Sequence, residues 1–202
     1  MHEKEKIANY YRKVARIYDL NRRFFLFGRK RLIKELSVRY TDVPRILEVG
    51  CGTGTVLLEL GRNYPNAQIV GLDLSEHMLS EAKRKTASLP HITLLQKKFD
   101  ADFNHEQFDL IVFSYALSVF PDLASTLELT KKHLAPGGLV ALADFFASDY
   151  TLFRLWISRN IPLRTCFPMP VLTDRFQKKY FSVHSAYLGF WKYFLFIGTK
   201  TD

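Results

Sequence analysis

Gly50-Cys51-Gly52-Thr53-Gly54 follows directly on the mostly apolar run Ile46-Leu47-Glu48-Val49. Glycine at alternate positions permits a tight turn and lets a ligand approach bare main chain. Asp73 lies 19 residues after Gly54, at the end of a second run, Ile69-Val70-Gly71-Leu72. A carboxylate so placed can accept hydrogen bonds from ribose hydroxyls. Two related loops fit poorly. A dinucleotide fingerprint needs glycine where Thr55 stands, and Gly-Lys-Ser/Thr occurs nowhere in the chain. The six histidines (2, 77, 91, 105, 133, 184) show no metal-ligand spacing, so no metal site is expected. Cys51 and Cys166 make no disulfide framework, which points to a reducing compartment.

These residues need a scaffold that gathers strand ends. Residues 45–49, 67–73, 91–95 and 108–113 read as strands, the last a near-continuous apolar run of the kind buried on both faces. Helices alternate with them. One follows the glycine loop and stops at Gly61. Another is N-capped by Ser75, with Met78, Leu79 and Ala82 facing the core, and a third covers 123–134 and ends at Pro136-Gly137-Gly138. A strand over 139–145 comes next. The alternation predicts an open parallel α/β sheet with helices on both faces. Such sheets bind ligands outside the carboxyl ends of their strands, where the strand order reverses. Upstream, 5–18 and 29–40 have helical spacing. Residues 148–180 are helical in part and broken by Pro162, Pro168 and Pro170. The chain closes on 181–187 and 191–198 around Gly189, read as an antiparallel hairpin.

The 202 residues, 48% hydrophobic and 24% charged, suit one globular domain. Its expected parts are an N-terminal helical cap (1–40), a core (41–146), a second cap over the acceptor (147–180) and the hairpin (181–202). The net charge of +9 is uneven. Residues 1–40 hold 12 basic against 4 acidic residues, 41–150 hold 9 against 14, and 151–180 hold 6 against 1. An acidic middle between basic flanks is unlike a uniformly basic nucleic-acid binder. The first residues lack the apolar core of a signal peptide, and no apolar run reaches the roughly 18 residues of a membrane span. A cytoplasmic location is therefore expected.

Glu48-Val49-Gly50-Cys51-Gly52-Thr53-Gly54 resembles the first motif of class I S-adenosylmethionine-dependent methyltransferases. Four further segments resemble the same family in order: Gly71-Leu72-Asp73-Leu74-Ser75-Glu76-His77-Met78-Leu79, Phe99-Asp100-Ala101, 108–117, and Leu134-Ala135-Pro136-Gly137-Gly138. The resemblance covers about residues 40–146. It implies a Rossmann-like, mostly parallel seven-stranded sheet and S-adenosyl-L-methionine as cofactor. By the same resemblance Glu48 orients the loop and the methionine amine, and Gly50, Cys51, Gly52 and Gly54 form the turn at the methionine portion. Asp73 takes the ribose diol, Leu74 or Met78 lines the adenine, and Asp100 and Ala101 contact the adenine edge. Ser114 and Tyr115 lie near the sulfonium. Phe99 departs from the family, which often has glycine there.

Tyr18-Asp19-Leu20-Asn21 and Phe27-Gly28-Arg29-Lys30-Arg31-Leu32 resemble the N-terminal region of methyltransferases acting on membrane-associated substrates. These are bacterial phospholipid or betaine-lipid amine N-methyltransferases and ubiquinone/menaquinone C-methyltransferases. The quinone group typically shows Tyr-Asp-Leu-x-Asn and Ser-x-Gly. Here Asn21 directly follows Leu20, and Leu26 stands two before Gly28, so a lipid amine is the expected acceptor. A quinone precursor or soluble small molecule is the alternative, and a non-catalytic cofactor-binding module is a third. Residues 22–31 and 152–159 mix aromatics with cations, a pattern suited to an anionic membrane surface; packing of Phe24 to Phe27 as a lid is the other reading. Nucleic acid is the least favoured partner. A sulfonium methyl is already activated, so holding acceptor and methyl together in a water-poor site supplies most of the catalysis. Tyr18 is the candidate catalytic residue, as a hydroxyl that orients the acceptor.

Overall fold

Helix α1 (Arg29–Arg39) is the first element of a computed structural model that describes residues 27–104, 106–148, 150, 169–187 and 191–200. Leu32, Ile33 and Leu36 share one face of α1 and are buried, while Lys30, Arg31 and Lys34 face solvent. Next come β1 (Arg45–Val49), α2 (Thr55–Asn63), β2 (Gln68–Asp73), α3 (Glu76–Thr86), β3 (Ile92–Gln96) and β4 (Phe108–Ser114). A 3₁₀ turn (Leu117–Val119) leads to α4 (Leu123–His133) and β5 (Leu134–Ala147). The short α5 (Met169–Thr173) precedes β6 (Phe176–Ala186) and β7 (Trp191–Lys200).

The seven strands form one sheet in the order β3-β2-β1-β4-β5-β7-β6. The first five are parallel, and β7 lies antiparallel between β5 and β6. This is the expected Rossmann-like sheet with its antiparallel hairpin. Strand order reverses at β1, which has β2 on one side and β4 on the other, so the crevice opens at the glycine loop. Alternate residues of each strand serve opposite faces. Leu110 and Val112 of β4 join α1 and α2 residues in one core, whereas Ile111 and Phe113 join α4 and α5 residues in the other. Strands buried on both faces read as continuous apolar runs for this reason.

Several boundaries differ from the sequence reading. Helix α2 continues past Gly61 to Asn63, because a Cβ on Gly61 would come within 2.8 and 2.9 Å of the Leu89 and Ile92 side chains. Glycine there serves close packing and is not a stop. The third predicted helix ends at His133, and Pro136-Gly137-Gly138 lies inside β5, where the register slips between Phe108↔Leu134 and Leu110↔Leu139. Strand β6 starts at Phe176, five residues before its expected start. Gln177, Lys178 and Lys179 face solvent on this edge strand, and a bulge separates Lys178 from Tyr180, so apolar alternation is lost there. The hairpin thus takes residues 176–180 from the expected second cap. Residues 5–18 and Gly189 lie outside the described residues.

Candidate functional site

The sheet presents its carboxyl ends at Val49, Asp73 and Ser114. After β1 the backbone N–H groups of Gly50 and Cys51 both donate to the Leu72 carbonyl, at 2.7 and 3.0 Å, which turns the chain sharply against β2. Gly50, Gly52 and Gly54 have φ of 72°, 54° and 76°, a left-handed conformation that strains any residue with a Cβ. A Cβ on Gly50 would stand 2.7 Å from Ala116 and one on Gly54 2.8 Å from Ala82, but one on Gly52 would meet nothing within 4 Å. Gly52 is therefore the open point of the loop, where a ligand can lie against main chain.

Asp73 holds this loop in place. Its Oδ2 accepts the Gly52 N–H at 2.8 Å and its Oδ1 the Ser75 N–H at 2.9 Å. Burial raises its pKa, and the amides of Ser75, Gly52 and Leu74 pull it back. Each carboxylate oxygen keeps a further lone pair, so the ribose assignment is compatible with these bonds. Ser75 caps α3 by accepting the Met78 N–H. The two adenine candidates separate here: Leu74 is 63% exposed at the rim, whereas Met78 is buried at 1%.

Glu48 points from β1 toward the start of α2 and is buried. Its Oε2 has no hydrogen-bond partner among the described residues. Burial pushes its pKa well above the usual carboxylate range; the Arg29 charge opposes this, Asp73 adds to it, and the Leu57 amide lowers it. A buried carboxyl with one oxygen left without a partner among the described residues, at the mouth of a glycine turn, fits an ammonium group, as the methionine end of the cofactor carries. Together with the open face of Gly52, it meets the demands of S-adenosylmethionine.

Ser114 ends β4, and its Oγ accepts the Nε–H of Arg29 at 3.1 Å. Tyr115 follows with φ of 55°, a strained value for an aromatic residue, and is buried. Its N–H donates to the Ala143 carbonyl at 2.7 Å, its hydroxyl donates to the Phe27 carbonyl, and its ring meets Phe145 edge-on at 4.9 Å. Asp100 forms an ion pair with Lys98 at 2.8 Å and accepts the Asp102 N–H at 3.2 Å, while Ala101 is exposed. Phe99 anchors this loop among Phe103, Phe113 and His133, a packing role that glycine could not fill.

Two residues at the site escaped the sequence reading. Arg29 belongs to a cluster read only as a surface charge, yet it bonds Ser114 and lies 6.0 Å from the Tyr115 ring centre. Asp144, in β5, is buried beside Tyr115. It accepts the Ser118 N–H at 2.9 Å and the Phe145 N–H at 2.8 Å, and burial raises its pKa to about 6 against those bonds. A lone acid in the run Leu139 to Phe145 was the available signal. Tyr18, residues 22–26 and residues 152–159 lie outside the described residues. Phe27 packs on Tyr187, Trp191 and Tyr193 at centroid distances of 5.3, 6.2 and 6.5 Å.

Comparison with known proteins points to methyltransferases. A methyltransferase-domain family matches residues 47–140. The demethylmenaquinone methyltransferase of Staphylococcus carnosus (strain TM300) is 27% identical over 183 residues, covering 87% of this chain and 73% of that protein. Its counterpart in Staphylococcus aureus (strain JH9) is 28% identical over 182 residues, with the same coverage. Among solved structures, the N-methyltransferase NodS of Bradyrhizobium japonicum WM9, in complex with S-adenosyl-L-homocysteine, superposes with a TM-score of 0.71. It is 21% identical and covers 87% of this chain and 88% of its own, which speaks to fold. The methyltransferase-domain match, the methyltransferase relatives and the seven-stranded sheet together support a class I S-adenosylmethionine-dependent methyltransferase.

Proposed function

We propose that the methyl acceptor is a quinone precursor of the demethylmenaquinone kind, methylated on ring carbon. One observation carries this reading: the likeness to the demethylmenaquinone methyltransferases spans 87% of the chain. It therefore extends beyond the cofactor core to segments that select an acceptor. The aromatic side chains support it. Phe27, Tyr187, Trp191 and Tyr193 cluster where β6 ends and β7 begins, beside Tyr115 and Phe145. Such a wall suits a flat apolar ring. The cofactor supplies an activated methyl; the chain orients the ring and excludes water. A lipid amine, the acceptor expected from the N-terminal motifs, rests on departures at Asn21 and Leu26, outside the described residues.

Incubation with labelled cofactor, a reduced demethylmenaquinone and a phospholipid extract separates the two. Label in the quinone fraction supports the proposal, and label in a phospholipid fraction refutes it in favour of amine methylation. Contact with an anionic membrane through residues 22–31 and 152–159 belongs to the same proposal. Lys30, Arg31 and Lys34 are exposed on α1, and no helix among the described residues is long and apolar enough to cross a membrane. Binding to anionic vesicles that weakens with salt is the expected result.

A further inference from the structure

We infer that Arg29 binds the carboxylate of the cofactor's methionine portion, opposite Glu48 at its ammonium. This rests on the cofactor assignment above and adds a residue from outside the glycine motif. The placement is specific. Gly28, with φ of 90°, starts α1 so close to β7 that a Cβ there would stand 2.5 Å from the Tyr193 ring. That contact fixes the first turn of the helix over the carboxyl end of β4. From it the Arg29 Nε–H reaches Ser114 Oγ, and the guanidinium lies over the Tyr115 ring. Tethered through Nε, the group keeps its two terminal nitrogens for a planar, two-oxygen partner.

Among the described residues no carboxylate takes that place, and Arg29 forms no ion pair. A half-buried cation without a counter-ion is costly, as is a buried carboxyl with an orphaned oxygen. Among the described residues both occur, at Arg29 beside the end of β4 and at Glu48 Oε2 on the neighbouring β1. Their charges influence each other, since Arg29 lowers the Glu48 pKa, yet they do not pair. A cation and a buried carboxyl that do not pair with each other complement an α-amino acid zwitterion, whose ammonium would favour the ionised carboxyl and whose carboxylate would meet the guanidinium. The two alternatives are that Arg29 merely tethers α1 to Ser114, or that it meets an acidic group on the acceptor.

Calorimetry with ligands that differ in that carboxylate decides. S-adenosylhomocysteine carries it; 5′-methylthioadenosine lacks the amino-acid end; S-adenosyl-3-thiopropylamine lacks the carboxylate alone. Arg29→Met should weaken S-adenosylhomocysteine by about tenfold to a hundredfold, the range for a charged hydrogen-bonded pair, and 5′-methylthioadenosine by less than about twofold. Equal losses for both would reduce Arg29 to a tether, and no loss for either would place the carboxylate elsewhere; each overturns the inference. If the variant does not fold, the unaltered protein still tests it. It should bind S-adenosylhomocysteine at least about tenfold more tightly than S-adenosyl-3-thiopropylamine, and equal affinity overturns the inference. Failure to bind any of the three would instead overturn the cofactor assignment, and this inference with it.

Discussion

Replacing Asp144 with asparagine should remove a defined part of the protein's pH–stability profile. The Asp144 carboxyl is 1% exposed, and its folded pKa is about 6 against an ordinary 3.8. The folded protein therefore holds this proton more tightly than the unfolded chain does. Between those two values the native state binds more protons, so stability falls as pH rises. The contribution is complete below about pH 4 and lost once pH passes the folded value. A shift of about two units at about 1.4 kcal/mol each gives roughly 3 kcal/mol. Asparagine also changes the hydrogen bonding. Both carboxylate oxygens accept backbone N–H groups, from Ser118 and Phe145, and an amide offers one acceptor where the site uses two. That cost, about 1–3 kcal/mol, does not vary with pH and cancels when the pH dependence is compared. Urea unfolding of both proteins from pH 4 to 7.5 is the assay, with equal m-values required. The wild-type minus variant difference should move by about 3 kcal/mol in favour of the variant as pH rises. A difference constant to within about 0.5 kcal/mol would refute the assignment of a buried, strained carboxyl at this position.

Gly54→Ala should cost about 2–4 kcal/mol, read as a lowered thermal midpoint, since it adds left-handed strain to a contact of 2.9 Å with the Ala82 backbone. Asp73→Ala should weaken S-adenosylhomocysteine by at least about tenfold in calorimetry, because it frees the Gly52 and Ser75 amides as well as removing a ribose acceptor. Unchanged affinity would show that neither task matters. Tyr115→Phe loses the bond to the Phe27 carbonyl, so amides at the start of α1 should exchange faster by an opening energy of about 1 kcal/mol, with β4 unaffected.

Legibility in the sequence followed the range of the interactions. Strands β1, β2 and β4 were readable because burial on both faces makes their sequences mostly apolar, and the glycine turn because its backbone needs glycine locally. Strand β6 was half hidden, since an edge position leaves Gln177, Lys178 and Lys179 in solvent and a bulge interrupts the alternation. Gly61 and Pro136-Gly137-Gly138 misled for the opposite reason. Their residue types signal a stop, but close packing on Leu89 and Ile92 in one case and a slipped register in the other give them different work. At the site, Glu48 lies within the glycine motif and Asp73 at the end of the next strand, so both could be found from local sequence. Arg29 acts across 85 residues on Ser114, and Asp144 across 26 on Ser118, so only the folded sheet brings them there.

The basic N-terminal segment is the place where a charge count most needs the fold. Residues 29–31 are three adjacent cations in sequence, but a helix turns about 100° per residue, and they cannot all face one partner. Arg29 turns inward to Ser114, Lys30 faces solvent, and Arg31 reaches His184 on β6 at 2.8 Å. One segment thus carries two tasks that mutation can separate. Lys30→Gln with Lys34→Gln should weaken binding to anionic vesicles by roughly fivefold per residue, from about 1 kcal/mol each, and leave S-adenosylhomocysteine affinity within about twofold. Arg29→Met should do the converse. If both sets of variants shift vesicle and cofactor binding together, the cations act as one field rather than as two contacts, and the division of α1 into an inward arginine and an outward basic face is wrong.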